Sequence, residues 1–281
     1  MNQADLHIHS TASDGKLTPA DIVQEAGRRG LSFIALADHD SIDGIAPAQS
    51  AARAFPGLKV IPGVEISTDT PKDEVHILGY FIDYNDPDFG ATLDRFKNSR
   101  LKRGQKMVAK LKKLGIDIDW QRVTEIASGN SIGRPHIAQA MLEKGYITSF
   151  KQAFTEYLGH GRPAYVEREK MTPKEAVALI IKAKGLPVLA HPLTLTEPEA
   201  MTRELKEGGL VGIEAYYNNY TGEEIRRLVA LAEKYELIVT GGSDYHGLEP
   251  TETAIGGVNL PLEAVEKLIA LAKQREPRLR I

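Results

Sequence analysis

Short apolar runs rich in β-branched residues recur along this 281-residue chain, and most are followed by a segment of helical periodicity. They fall near 4–9, 33–38, 59–67, 75–80, 187–191, 212–216 and 237–243. Several, such as Phe33-Ile34-Ala35-Leu36-Ala37, are apolar without a break, as in a parallel strand covered by helices. This alternation predicts an α/β fold, either a barrel or an open sheet. At this length, one barrel of about 250 residues and two smaller domains both fit. Thr18-Pro19-Ala20-Asp21 and Thr172-Pro173-Lys174-Glu175 each mark a helix start, with a hydroxyl cap, proline first and an acid third. Gly30 and Gly185 stand where a glycine C-terminal cap is expected.

The rhythm breaks between about Phe89 and Glu169, where the reading is almost wholly helical until Ala164-Tyr165-Val166. This predicts a helical insertion between two strands of the α/β unit. Leu93, Phe96, Met107, Val108, Leu111 and Leu114 make its first apolar face, and Leu142, Tyr146, Phe150 and Phe154 repeat at helical spacing later. Trp120 reads as a packing anchor. Arg95, Lys97, Arg100, Lys102, Arg103, Lys106, Lys110, Lys112 and Lys113 crowd the first helix. They are either a solvated face or a positive field that steers an anionic substrate.

Six of the eight histidines lie in or at the end of strand-like runs. One buried imidazole is ordinary; six need partners for many ring nitrogens, and a metal cluster supplies them. His7 and His9 alternate, so both point to one side of a strand. Asp14 follows in a polar loop. His39 and Glu65 close the second and third runs, His76 lies in the fourth, His191 ends the fifth, and Asp244 and His246 end the last. Active sites of such folds gather at the carboxyl ends of strands, so these nine side chains are candidate ligands. The chain has no cysteine, which leaves nitrogen and oxygen donors suited to Mn²⁺, Fe²⁺ or Zn²⁺. Nine ligands imply two or three ions, with Glu65 or Asp244 able to bridge. Such clusters catalyse displacement at phosphorus or amide hydrolysis. There is no nucleophile elbow, P-loop or dinucleotide fingerprint, so a hydroxide on the metal is the expected attacker. A net charge of −3 excludes a broadly basic nucleic-acid binder. No apolar run reaches a membrane span and the first residues do not read as a secretory signal, so a cytoplasmic protein without an obligate protein partner is expected.

The series Asp5-Leu6-His7-Ile8-His9-Ser10, Ala37-Asp38-His39-Asp40, Pro62-Gly63-Val64-Glu65-Ile66, Val75-His76, Ala190-His191-Pro192 and Ser243-Asp244-Tyr245-His246 resembles the PHP (polymerase and histidinol phosphatase) family, in family order from residue 3 to about 257. The resemblance implies a distorted (β/α)7 barrel over 1–88 and 170–281, with 89–169 as a helical substrate cap. It implies a trinuclear site for phosphoester hydrolysis, with Mn²⁺ the expected ion and Zn²⁺ or Fe²⁺ the alternatives. The first ion would take His7, His9, Glu65 and Asp244; the second Glu65, His76 and His191; the third Asp14, His39 and His246. Asp14 stands where several members carry histidine, and the extra carboxylate favours the harder ion.

The insertion's Gly133-Arg134-Pro135-His136 is similar to the branch acting on nucleoside 3′,5′-bisphosphates, whose members also trim short RNA from the 5′ end. The resemblance therefore implies removal of the 3′-phosphate, with short single-stranded RNA as a further substrate. Arg134 offers a fork for phosphate at a helix start, with Asn130, His136 and Arg162 as further substrate contacts and either His191 or a metal-bound water as proton donor. Gly159-His160-Gly161-Arg162-Pro163 is a weaker copy of the same chemistry. Asp5, Asp38 and Asp40 are read as orienting imidazoles or merely ending strands, and Tyr216 and Tyr217 as stacking a base or filling core. Competing readings are a histidinol-phosphate or sugar-phosphate phosphatase, a non-catalytic metal-binding module, and an amidohydrolase.

Overall fold

In the computed structural model, which describes residues 4–127, 132–167 and 171–276, the first strand, β1 (Ala4–Ile8), is buried at every position. Helix α1 (Pro19–Arg28) starts as its sequence predicts, with Thr18 accepting the Asp21 N–H. It leads to β2 (Phe33–Leu36), then α2 (Ile45–Ala52) and β3 (Lys59–Asp69). These three strands pair in parallel.

The next strand, β4 (Glu74–Tyr80), departs from the regular repeat: it runs antiparallel to β3. The chain has only residues 70–73 for the reversal, closed by Thr70 N–H donating to the Asp73 carbonyl at 2.8 Å. A parallel return needs a crossover of a dozen or more residues. The reversal has a consequence for the site. His76 lies near the start of β4 yet pairs in register with Ser67, so it reaches the rim formed by the ends of the parallel strands.

Helix α3 (Pro87–Lys113) spans 27 residues, about 40 Å at 1.5 Å per residue. Its first turns bury Phe89, Leu93 and Phe96 against the barrel core. Its last turns bury Met107, Val108 and Leu111 in a separate core shared with α4 (Trp120–Ile126), α5 (Arg134–Glu143) and α6 (Phe150–Ala153). A π-helical turn over Phe154–Leu158 continues α6. Trp120 packs on this second core as an anchor, against Gly104, where an added Cβ would sit 3.1 Å from the indole.

Three sequence expectations fail here. Leu114 is exposed, because α3 has ended. The Leu142–Phe154 repeat is not one helix: Gly145, at φ +72°, breaks it. Ala164–Val166 is turn and irregular chain, not a strand, and Tyr165 N–H closes a turn onto the Arg162 carbonyl.

The barrel resumes with α7 (Pro173–Lys182), where Thr172 and Glu175 make a reciprocal capping box. The left-handed residue after it is Lys184, φ 62°, not Gly185. Gly185 is needed for space instead, since a Cβ there would stand 2.7 Å from Ile82. Strand β5 (Leu186–Leu189) pairs antiparallel with β4. After α8 (Pro198–Glu207), β6 (Gly212–Tyr217), α9 (Gly222–Lys234) and β7 (Ile238–Gly242) restore parallel pairing, and α10 (Leu262–Arg275) packs outside. The order runs β1 to β7 without exchange. Asp244 N–H donates to the His7 carbonyl and His9 N–H to the Tyr245 carbonyl, bringing β7 back to β1. The result is a mixed seven-stranded sheet nearly closed into a barrel, with helices around it. Among the described residues no helix is long and apolar enough to cross a membrane.

Candidate metal centre

The rim of this barrel gathers all nine candidate ligands, which come from six of the seven strands or the turns that follow them. β1 presents His7 and directs His9 beyond its end, both fully buried. Asp14 folds back from the loop after β1. His39 follows β2, Glu65 lies within β3 and His76 within β4, His191 follows β5, and Asp244 and His246 follow β7. Three of the turns are strained: Asp40, His191 and Asp244 have φ of 50°, 30° and 52°. Backbone strain of this kind persists only where surrounding structure over-determines it, often at functional sites.

Glu65 is the hub. Its Oε2 lies 3.3 Å from His7 Nε2, 3.3 Å from His9 Nε2 and 3.0 Å from His39 Nδ1. Its Oε1 lies 2.8 Å from His76 Nδ1 and 3.1 Å from His191 Nε2. Asp244 Oδ1 stands 2.9 Å from His9 Nε2 and 3.3 Å from His7 Nε2. Asp14 Oδ1 is 3.5 Å from His246 Nε2 and 3.9 Å from His9 Nδ1. Three ligand groups result: His7, His9, Glu65 and Asp244; His39, Glu65 and His76; and His9, Asp14, His39 and His246.

These atoms face one another without finishing the job of pairing. His7 Nε2, both nitrogens of His9, Asp14 Oδ1, Glu65 Oε2 and His76 Nε2 are buried and without a hydrogen-bond partner. Orphaned buried polar atoms are costly, and here they converge. Divalent cations with nitrogen and oxygen preference fit that arrangement.

The electrostatics agree. Against the burial that would raise them, Glu65 is held well below the usual carboxylate range by His39, His76 and His7, Asp14 by His39 and His246, and Asp244 by His7 and His9. Burial pulls imidazoles down, and His39 falls to about 4. Burial is overcome at His76, held up to about 9 by Glu65, and at His246, held up to about 10 by Asp14. Ionised carboxylates in a dry pocket thus attract whatever positive charge is present.

Sequence reasoning missed the groups that aim these ligands. Glu214, fully buried, accepts a hydrogen bond from His7 Nδ1 at 3.0 Å and another from the His191 backbone N–H at 2.9 Å. Its neighbours in the run gave no sign of this; only the inward alternation of β6 could have. Tyr217, expected to stack a base or fill core, donates its hydroxyl to Asp244 Oδ2 at 2.6 Å. Arg100 is buried, not part of a solvated face: Nε meets Asp40 at 2.7 Å and Nη2 meets Ser67 Oγ at 2.8 Å, beside His39. Glu252 accepts the backbone N–H groups of His246, Gly247, Leu248 and Glu249.

Asp40 accepts the Ser67 N–H at 3.0 Å and the Arg100 Nε–H at 2.7 Å. Asp5 receives the N–H groups of His7, Ser243 and Gly256, and Asp38 ties down Ser10 and Ser13. They shape the loops that carry ligands.

The substrate candidates separate. Arg134 lies at the rim, with Nη2 2.6 Å from Glu74 and its guanidinium 5.3 Å from the Phe154 ring centre; Glu74 in turn is 3.5 Å from His76 Nε2. His136 is buried, accepts the Gly133 N–H at Nδ1 and has its pKa lowered by burial. Gly133 abuts Asp14, whose Oδ2 would be 2.9 Å from an added Cβ, so α5 begins against the cluster. Arg162 is exposed, as is His160, which contacts Tyr165. Asn130 lies outside the described residues.

Comparison with known proteins gives concordant matches. The PHP domain family matches residues 5–185. A 5′-3′ exoribonuclease of Haemophilus influenzae is 36% identical over 246 residues, 86% of this chain and 89% of that protein. A 3′,5′-nucleoside bisphosphate phosphatase of Chromobacterium violaceum is 32% identical over 251 residues, 88% of each. A solved structure from Bifidobacterium adolescentis, designated a metal-dependent phosphoesterase, superposes with a TM-score of 0.86 at 28% identity over 95% of both chains.

Proposed function

The chain belongs to the PHP domain family of metal-dependent phosphoesterases, and from that membership we propose that it removes the 3′-phosphate of nucleoside 3′,5′-bisphosphates and trims short RNA from the 5′ end. The observation that carries the reading is Glu65, one buried carboxylate with five imidazoles within 3.3 Å. The two activities share one chemistry, because each breaks a bond between phosphorus and a ribose 3′-oxygen. In the bisphosphate the phosphoryl group leaves alone; in RNA it keeps the rest of the strand.

In this reading His7, His9, Glu65 and Asp244 would hold one divalent ion, manganese first among the candidates, Glu65, His76 and His191 a second, and Asp14, His39 and His246 a third. Bound there, they would supply Lewis acidity toward phosphoryl oxygens and a nucleophile at neutral pH. Glu214 fixes the His7 tautomer, so that Nε2 faces the cluster. His191 has Nε2 on Glu65 and Nδ1 on Thr194; with both nitrogens engaged, it serves as a ligand and the departing 3′-oxygen draws its proton from solvent. Arg134 and His136, at the start of α5, take the 5′-phosphate, with Arg134 exchanging Glu74 for the substrate. Residues 89–169 act as the cap that brings these groups over the barrel. The same reading puts the protein in the cytoplasm, with its nucleotide substrates.

The test is phosphate release from adenosine 3′,5′-bisphosphate and histidinol phosphate side by side, by protein whose metal content has been measured. Preference for the bisphosphate, abolished by chelation and restored by Mn²⁺, is expected. Preference for histidinol phosphate, or no turnover by fully loaded protein, overturns the assignment.

A further inference from the structure

The outer face of α3 carries cations that neither the barrel nor the ligand cluster uses. From Arg95 to Lys113 the helix has nine basic residues and no acidic one, in a chain of net charge −3. Some are paired locally: Arg100 with Asp40, Lys97 with Asp43 and Lys112 with Asp117. Lys106, Lys110 and Lys113 recur at spacings of four and three, so they share one face. With Ala109, Tyr165, Val166 and Glu167 they line a groove of about 470 Å³. Lys106 and Lys113 are exposed and have no acidic partner among the described residues. Lys110 donates one proton to the Tyr165 carbonyl at 2.6 Å, leaving two donors. Glu167 is the one acid among the lining residues.

Tyr165, one of the residues lining this groove, links it to the ligand rim. Arg103, one turn before Lys106, stands over the Tyr165 ring at 5.1 Å and donates to the Val166 carbonyl. Tyr165 lies within electrostatic reach of Asp69, Glu74 and Arg134. Arg134 and Glu74 are the pair beside His76.

We propose that the groove is the track for the phosphodiester backbone of a single-stranded nucleic acid whose 5′-terminal nucleotide occupies the ligand cluster. The proposal rests on the nucleotide reading above. Cleavage at the 3′-oxygen of the first nucleotide leaves every later nucleotide attached to the attacked phosphorus, so the strand must leave the pocket along a surface. Lysines are suited to that surface because they contact phosphates as mobile point charges and read no bases. At about 1.5 Å per residue, Lys106 to Lys113 spans about 10 Å, the reach of a few consecutive backbone phosphates. Affinity should therefore climb over the first few nucleotides beyond the terminal one and then level off, without sequence preference.

The experiment uses the full chain with Lys106→Gln and Lys113→Gln combined. It compares kcat/KM on a nucleoside 3′,5′-bisphosphate and on a 5′-phosphorylated pentaribonucleotide. Fluorescence anisotropy of the labelled pentamer on metal-free protein gives binding independently of turnover. The expected result is a loss of about tenfold on the pentamer with the bisphosphate unchanged within about twofold. Two contacts at ~0.7 each should also make the salt slope of pentamer binding shallower by about 1.4. Equal losses on both substrates would reveal a general steering field and overturn the track, as would unchanged pentamer binding. If the wild type hydrolyses neither nucleotide while the variant still loses pentamer binding, the catalytic reading fails and the track stands. If the wild type hydrolyses the bisphosphate but binds pentamer no better than dinucleotide, the track fails and the reading stands.

Discussion

His7 Nδ1 lies 3.0 Å from Glu214 Oε1, and neither side chain is exposed to solvent. That contact keeps a proton on Nδ1 and turns Nε2 toward Glu65 and Asp244, each 3.3 Å away. The other Glu214 oxygen holds the backbone N–H of His191 in its left-handed turn. Glu214→Gln keeps the shape but turns an amide donor toward one of these two donors. Metal affinity and kcat/KM should each fall about 10- to 100-fold, the usual cost of losing an outer partner of a ligating histidine. Metal titration with wild-type affinity would show that Glu214 does not govern His7.

Arg134 is held between Glu74 and the Phe154 ring, poised to trade one anion for another. Arg134→Ala should lower kcat/KM on the bisphosphate severalfold to about a thousandfold. If it binds the 5′-phosphate, a nucleoside 3′-monophosphate should lose far less. Equal losses on the two substrates would place the arginine elsewhere.

Glu252 gathers four consecutive N–H groups, at 2.6 to 3.0 Å, from the loop that carries His246. The same loop reaches the insertion: Phe150 N–H donates to Glu249, and Leu248 packs on the insertion core. Glu252→Gln replaces one acceptor oxygen with a donor facing donors. A loss of about 1–3 kcal/mol is expected, together with one fewer ion bound per chain, both readable from thermal melts and metal analysis. A stability loss with full metal content would limit Glu252 to the loop.

Without metal, protons stand in for the missing charge, and stability acquires a pH signature. His76 and His246 are held up to about 9 and about 10, above the unfolded value of about 6.5. Their contribution is complete below about 6.5 and lost as the pH climbs through 9 and 10. His39, pushed down to about 4, acts oppositely and removes stability as the pH falls from about 6.5 toward 4. The depressed carboxylates contribute above their unfolded values and lose that contribution in acid. Chelated protein should therefore melt highest near neutrality and lose Tm toward pH 10, while Mn²⁺ flattens the alkaline limb. Identical alkaline limbs with and without metal would contradict this.

Much of this protein is legible in its sequence because the relevant signals are local. Alternation at His7 and His9, the Thr-Pro helix starts and the continuous apolar runs depend only on neighbours a few residues apart. They locate the strands, and strand ends in an α/β fold are where ligands collect. Even the reversal at β4 is implicit in the few residues between Ser67 and Val75, too short for a crossover.

What tertiary structure alone decides is which distant groups share a buried space. Nothing around Glu214 marks it as the acceptor for His7, 207 residues away, and nothing marks Arg100 as a cation of the basic run that turns inward to Asp40. A charged side chain enters a core only where a partner meets it, and that partner is set by the closure of the barrel and by where α3 crosses it, not by local pattern.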